Sequence, residues 1–195
     1  MRNIIIPASK SLTISNKIPN ENINNEFINV GNDGKYYYYS YLFFDISPIP
    51  SNIVINSAEI ILFKVKDFFN CNTKVFSIYP LSDYFSTFTT YKNHPRINTQ
   101  FKYDFLPFTN NIYIEVNITD ILEAWINNTL INKGIILIGD NNQNCLTTFA
   151  SALNKDPYLI PFLRVSFQES SIEVIVDYPF KIPYRNINWT CKTKP

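Results

Sequence analysis

The sequence predicts an all-β fold, an antiparallel β-sandwich with one short helix and a C-terminal extended tail. Three observations predict it. Runs rich in Ile, Val, Phe, Tyr and Thr recur along the chain, broken every eight to twelve residues by clusters of Asn, Pro, Gly and Ser, the spacing of short strands joined by turns. The 195 residues suffice to bury one large core without covalent staples. A single stretch, Asn117 to Asn128, shows helical periodicity instead of alternation.

In chain order, the alternating or apolar runs place strands at Ile4 to Ile6, Ser11 to Ser15, Phe27 to Val30, Tyr36 to Ile46, Val54 to Val65 and Lys74 to Tyr79. Further strands are expected at Ile112 to Asn117, Gly134 to Ile138, Leu146 to Ser151, Leu159 to Phe167 and Ile172 to Val176. In "NITDILEAWINN" the apolar residues Ile121, Leu122, Trp125 and Ile126 form one stripe. Thr119 is placed to cap the first turn and Asp120 to meet the helix dipole. Residues 1–168 form the sandwich and residues 169–195 a terminal strand and tail, docked on the sandwich or on a neighbouring subunit.

Composition narrows the functional classes. Charged residues are only 17% of the chain and the formal net charge is +1, so the electrostatic footprint of a nucleic-acid or acidic-membrane partner is absent. The Asn, Ile, Tyr, Phe and Lys bias fits an A/T-rich bacterial genome. No segment reaches the roughly 18 apolar residues of a membrane helix, and the start "MRNIIIPASK" is too short an apolar run for a secretory signal. The expectation is a chain made in the cytoplasm, with deposition on the spore or cell surface to follow. Cys71, Cys145 and Cys191 are widely spaced, with His94 the one histidine. Buried or surface thiols are therefore expected rather than a metal site, and no cofactor is implied.

Catalytic chemistry finds little purchase. Asp45, Glu59, Glu115 and Glu123 are scattered over different elements, and a glycosidase needs two carboxylates held about 5 to 10 Å apart. Asp45 reads as the cap of the turn that follows it, and His94 as a turn residue before Pro95. The loop "GDNNQN", Gly139 to Asn144, is oxygen-rich but lacks the additional carboxylates of a calcium loop. The protein is read as non-catalytic.

Four blocks carry a family resemblance. They are "SYLFFDISPIPSNIVINSAEIILF", "LSDYFSTFTTYKNHP", "IEVNITDILEAWINNTLINKGIILIGD" and "TTFASALNKDPYLIPFLRVSF". In this order, over roughly residues 4 to 167, the chain resembles the DNRLRE domain, a jelly-roll-like β-sandwich of bacterial and archaeal surface proteins that is also grouped among carbohydrate-binding modules. Where that family carries Trp, Glu and Trp in the second block, this chain has Tyr84, Ser86 and Tyr91, and in place of a Ser-Arg-Glu in the last it reads Ser151, Ala152, Leu153.

The segment "KYYYYSYLFFDIS" raises the sharpest question, because both faces of the strand are aromatic. Side chains alternate, so Tyr38, Ser40, Leu42, Phe44 and Ile46 share one face and Tyr37, Tyr39, Tyr41, Phe43 and Asp45 the other. The resemblance makes the first the core face. The stripe Tyr37, Tyr39, Tyr41, Phe43 then looks outward, with three uses open: a surface covered by the chain's own tail or a loop, a protein contact, or a platform for stacking sugars. The tail residues Tyr178, Phe180, Ile182, Tyr184 and Trp189 are the expected partners for such a contact. Two functions follow: a structural, self-associating subunit of a bacterial surface or spore layer or fibre, forming a homo-oligomer or polymer, or a carbohydrate-binding module whose partner is a polysaccharide.

Overall fold

The computed structural model describes residues 1–68, 74–108, 110–140 and 144–169. Among them the chain is built of antiparallel strands with one α-helix, the all-β class expected. The strands are β1 (Arg2–Ser15), β2 (Asn22–Ile23), β3 (Phe27–Asn32), β4 (Tyr37–Phe44), β5 (Ile53–Phe68) and β6 (Phe76–Pro80). After them come β7 (Tyr103–Phe105), β8 (Tyr113–Asn117), the helix α1 (Thr119–Ile126), β9 (Ile135–Ile138), β10 (Cys145–Ala150) and β11 (Phe162–Glu169). The strand expected at Ile172 to Val176 and the whole tail lie outside the described residues.

The pairings close on themselves. β1 pairs with β11, β11 with β5, β5 with β10, β10 with β3, β3 with β4, and β4 again with β1, every ladder antiparallel. β8 extends this ring from β5, and β9, β6 and β7 extend it in turn from β4. The result is a closed barrel rather than two separate sheets, and closure removes strand edges within the ring that would otherwise invite aggregation.

Two long strands make closure possible. The first half of β1, Arg2 to Pro7, pairs with β11 and its second half, Ala8 to Ser15, with β4. The sequence suggests two strands here, broken near Pro7. The structure runs straight through, because the changeover of partners falls beside the proline, where the register shifts between Ala8 and Lys10 and Ala8 N–H donates to Pro161 O at 2.7 Å. The proline's missing donor therefore falls where one ladder gives way to the next. β5 likewise passes from β11 at Ile53 to Ile61, to β10 from Lys64 onward.

Period-2 alternation selects what goes inside. Leu42 and Phe44 of β4, Ala58, Ile60 and Leu62 of β5, Ile114 and Val116 of β8, and Leu163 and Val165 of β11 are all buried in one cluster. Two inward hydroxyls are hydrogen-bonded to each other: Ser40 Oγ lies 2.8 Å from Thr13 Oγ1 and donates to Asn29 O at 2.6 Å. At the barrel end Gly31 takes φ +114°, and a Cβ there would sit 1.9 Å from Cys145 O. Only glycine allows that approach of β3 to β10.

The helix packs its stripe into the same core: Ile121, Leu122 and Trp125 are buried. Its start differs from expectation. Thr119 does not cap it; Thr119 Oγ1 instead accepts the N–H of Ala58 at 3.0 Å, tying the helix to β5, and Asn117 Oδ1 receives Thr119 N–H at 3.0 Å. A threonine turned toward a neighbouring strand cannot also serve its own helix. Asp120 does lie in the first turn and accepts from the Tyr103 hydroxyl at 2.7 Å.

Cys145 is disulfide-bonded rather than a free thiol, and its side chain is completely buried at the start of β10. Cys71 and Cys191 lie outside the described residues.

Replacing Trp125 by Ala is expected to cost about 3 to 5 kcal/mol, the usual penalty for emptying a core aromatic site. Trp125→Phe should cost much less, since the indole Nε1 has no hydrogen-bond partner among the described residues. Urea denaturation of both variants measures this; equal losses would mean that the indole ring's volume is not what the helix contributes.

Candidate functional site

The aromatic stripe of β4 is the place to begin. Tyr39, Tyr41 and Phe43 do point away from the barrel core, as the alternation requires. Their neighbours on the same outer face are Leu12 and Ile14 of β1, paired with Tyr41 and Tyr39, and Ile136 of β9, paired with Tyr41. This face is not open. The connection from β6 to β7 folds back across it, placing Leu81 and Phe85 in a second buried cluster with Leu12, Ile14, Tyr41 and Ile136. Tyr39, Phe43, Tyr79, Tyr91 and Ile97 pack around the cluster's rim.

Tyr41 consequently has no exposed surface, which corrects its place in an outward binding or assembly stripe. Its ring lies 5.3 Å from Phe85. Tyr39 stacks on Tyr91 at 5.9 Å and 25° between planes, and Lys10 Nζ sits 5.6 Å from the Phe43 ring. Tyr37, Tyr39 and Phe43 are half-buried. Of the three uses left open by the sequence, the geometry matches cover by a loop. The tail positions Tyr178, Phe180, Ile182, Tyr184 and Trp189 fall outside the described residues.

The covering loop is closed at its neck and tied down along its length. Leu81 bridges Ile97, Ser82 N–H donates to Arg96 O at 2.8 Å, and Leu81 N–H to Gly134 O at 3.0 Å. The Asn22 side chain donates to Thr87 O at 2.7 Å and to Thr89 O at 2.9 Å, and Lys92 N–H to Pro19 O at 3.1 Å. Across the neck Arg96 grips Asp83 with Nε at 2.8 Å from Oδ2 and Nη2 at 3.2 Å from Oδ1. That two-pronged hydrogen bond holds the Asp83 carboxyl below the usual carboxylate range, so it stays ionised at any neutral pH.

Residues on the loop's other side face outward. Phe85 is sealed in, while its neighbour Tyr84 is 65% exposed and Phe88 is 85% exposed. Between them opens a shallow cleft of about 250 Å³ lined by Asp83, Tyr84, Ser86, Phe88, Asn93 and His94 among others. Lys133 Nζ lies 5.6 Å from the Tyr84 ring and donates to Ser82 O at 2.6 Å, which fixes the base of this aromatic. The turn carrying Phe88 is held by Ser86 N–H to Thr89 Oγ1 at 2.9 Å and Thr89 N–H to Ser86 O at 3.0 Å. Two exposed rings beside hydroxyl, amide, carboxylate and imidazole groups can stack on the apolar face of a sugar while bonding its hydroxyls.

The remaining sequence candidates are dispersed. Asp45 Oδ1 accepts Ser47 N–H at 3.1 Å, the turn cap expected. Glu59 and Glu115 come together on β5 and β8, but around the guanidinium of Arg164, at 3.4 and 3.1 Å. Glu123 is an exposed residue of α1. His94 stands at the cleft, with Nδ1 3.2 Å from Pro95 O. The described residues hold no cluster of three or more His, Cys, Asp or Glu able to bind a metal. No helix among them is long and apolar enough to cross a membrane.

Tyr84 stood out in the sequence only as a replacement for a family tryptophan, and Phe88 not at all. The legible signal was in "DYFSTF": aromatics at 84, 85 and 88 among polar residues, with no strand alternation to send all of them inward.

The structure thus combines a barrel of antiparallel strands with a pinned loop that shows aromatics and polar groups to solvent. The chain belongs to carbohydrate-binding module family 96, whose sequence pattern matches residues 9–161. No curated protein matches it.

Burial raises the Tyr41 phenol well above its ordinary value, and burial with the nearby Asp33 carboxylate pushes Tyr38 up to about 12. Both folded values exceed the roughly 10 of an unfolded tyrosine. The stabilisation these groups give is therefore complete below about pH 10 and drains as pH climbs through about 12. Ultraviolet titration should show late tyrosinate signal appearing together with loss of near-ultraviolet dichroism. All tyrosines ionised by about pH 11 with tertiary structure intact would contradict the burial of this wall.

Proposed function

We propose that the protein is a non-catalytic carbohydrate-binding module and that the outer side of the loop from Leu81 to Ile97 holds the glycan. The observation that carries this reading is the pair Tyr84 and Phe88, exposed on a loop whose other side is anchored in a buried cluster. Large exposed aromatics on a rigid support lose little entropy on binding, and sugar C–H faces stack well on them. Ser86, Asn93 and His94 supply donors and acceptors for hydroxyls, and the ionised Asp83 accepts from a vicinal pair. Family membership supports a polysaccharide as partner. In this reading the barrel is a jelly-roll-like scaffold whose walls share β1 and β5.

The Cys145 disulfide fits action outside the reducing cytoplasm, at a cell or spore surface. The self-association reading draws in part on the β4 stripe, and at Tyr41 that surface is occupied by the chain's own loop.

Affinity electrophoresis against a panel of soluble polysaccharides, with pull-down on insoluble ones, tests the proposal. Tyr84→Ala and Phe88→Ala should each weaken binding about tenfold or more, as truncating an aromatic anchor costs on the order of 2 kcal/mol, while the melting temperature stays near that of the parent. Binding that survives the double substitution would place the site elsewhere, and no binding to any glycan would remove the reading.

A further inference from the structure

A second hollow adjoins the cleft. It has a volume of about 350 Å³ and lies on the other side of Ser86, which lines both. Its lining joins Leu12, Phe85 and Leu153 with the ammonium of Lys10, the Asn24 amide and the hydroxyls of Ser86 and Thr87, among others. Leu153 is 50% exposed, an apolar side chain left standing at the edge of a hydroxyl-lined depression. The backbone around it is fixed from three directions. Asn22 holds the carbonyls of Thr87 and Thr89, Ser11 Oγ accepts Ala152 N–H at 3.0 Å, and Ser151 Oγ accepts Leu153 N–H at 2.9 Å. The same covered wall that supports the cleft supports this hollow, because Phe85, the plug over Tyr41, also borders it.

We infer that the hollow between β1, Asn24 and Leu153 is a further sugar subsite, continuous with the cleft across Ser86, so that the module grips a stretch of a linear polysaccharide. The inference rests on the glycan-binding reading above and deepens it. Both depressions combine an apolar patch with short hydroxyl or amide side chains, the lining that suits a pyranose ring with one apolar face and a hydroxyl edge. Two such depressions sharing one residue fit neighbouring sugar units of a single chain. Each added subsite filled contributes affinity without a second loss of translational freedom, so affinity should climb with chain length until both are occupied.

The test is isothermal titration with ladders of cello-, xylo-, chito- and galacturonate oligosaccharides of two to six units, on the full chain and on surface substitutions at each depression. Leu153→Arg and Asn24→Arg, both at exposed positions, fill the hollow. The inference expects parental affinity to rise about tenfold or more between the shortest and longest members of the ladder that binds. Either arginine should abolish that rise while leaving the shortest bound member within about twofold of the parent, and Phe88→Ala should weaken every length. Two results overturn it. If Phe88→Ala weakens binding but the length dependence survives both arginines, the hollow is not a subsite and the glycan-binding reading stands. If no member of any ladder binds and Phe88→Ala changes nothing against polysaccharides either, the underlying reading falls and the subsite with it.

Discussion

The outer face of the wall formed by β1, β4 and β9 is as apolar as its inner face, and that constraint shapes much of what surrounds it. Leu12, Ile14, Tyr41 and Ile136 lie on the solvent side of a closed barrel, where such a patch is costly to leave bare. Each apolar side chain removed from water contributes roughly 1.5 to 3 kcal/mol, so Phe85 and Leu81, landing on this patch, offset part of the cost of ordering a long connection. The loop is therefore an outer layer rather than a tether. Its polar pins, from Asn22, Lys133 and the Asp83–Arg96 pair, set its register on a seat that the aromatics create.

This arrangement explains why a low-charge domain carries so many tyrosines and phenylalanines. β4 needs Leu42 and Phe44 for the barrel interior and Tyr39, Tyr41 and Phe43 for the layer outside. A strand between two apolar layers is aromatic on both faces, the pattern more familiar from strands covered on both sides in layered folds. The tyrosine hydroxyls distribute by depth. Tyr38 finds Asp33 Oδ2 at 3.1 Å, whereas Tyr41 OH has no partner among the described residues, and the packing of its ring against Phe85 offsets that loss.

Much of the fold was legible because its signals are local. The alternation of "YSYLFF" separated the two faces of β4, the family resemblance picked the inner one, and the stripe Ile121, Leu122, Trp125 identified the helix. What failed depended on residues far apart in sequence. Pro7 reads as a break until β11 and β4 are both present to share β1. Thr119 reads as a cap until Ala58 claims its hydroxyl. The outward stripe reads as covered, as a contact or as a platform until residues 81 to 97 come back over it, and nothing within residues 35 to 47 decides among the three. The candidate site was the least legible of all. Tyr84 and Phe88 are ordinary aromatics in a sequence full of them, and only burial of Phe85 between them shows which rings are spent on packing and which stay exposed.

Within "LSDYFSTFT" the inward and outward duties fall on different side chains. Leu81, Phe85 and Thr89 hold the loop to its seat, while Tyr84, Ser86 and Phe88 face solvent and support nothing in the core. The outward positions can therefore drift, exchange or be redesigned with little effect on whether the chain folds. Under the glycan-binding proposal, a scaffold partitioned in this way can change which polymer it takes through a few surface replacements, and proteins sharing the same barrel are free to diverge in specificity while their interiors stay alike.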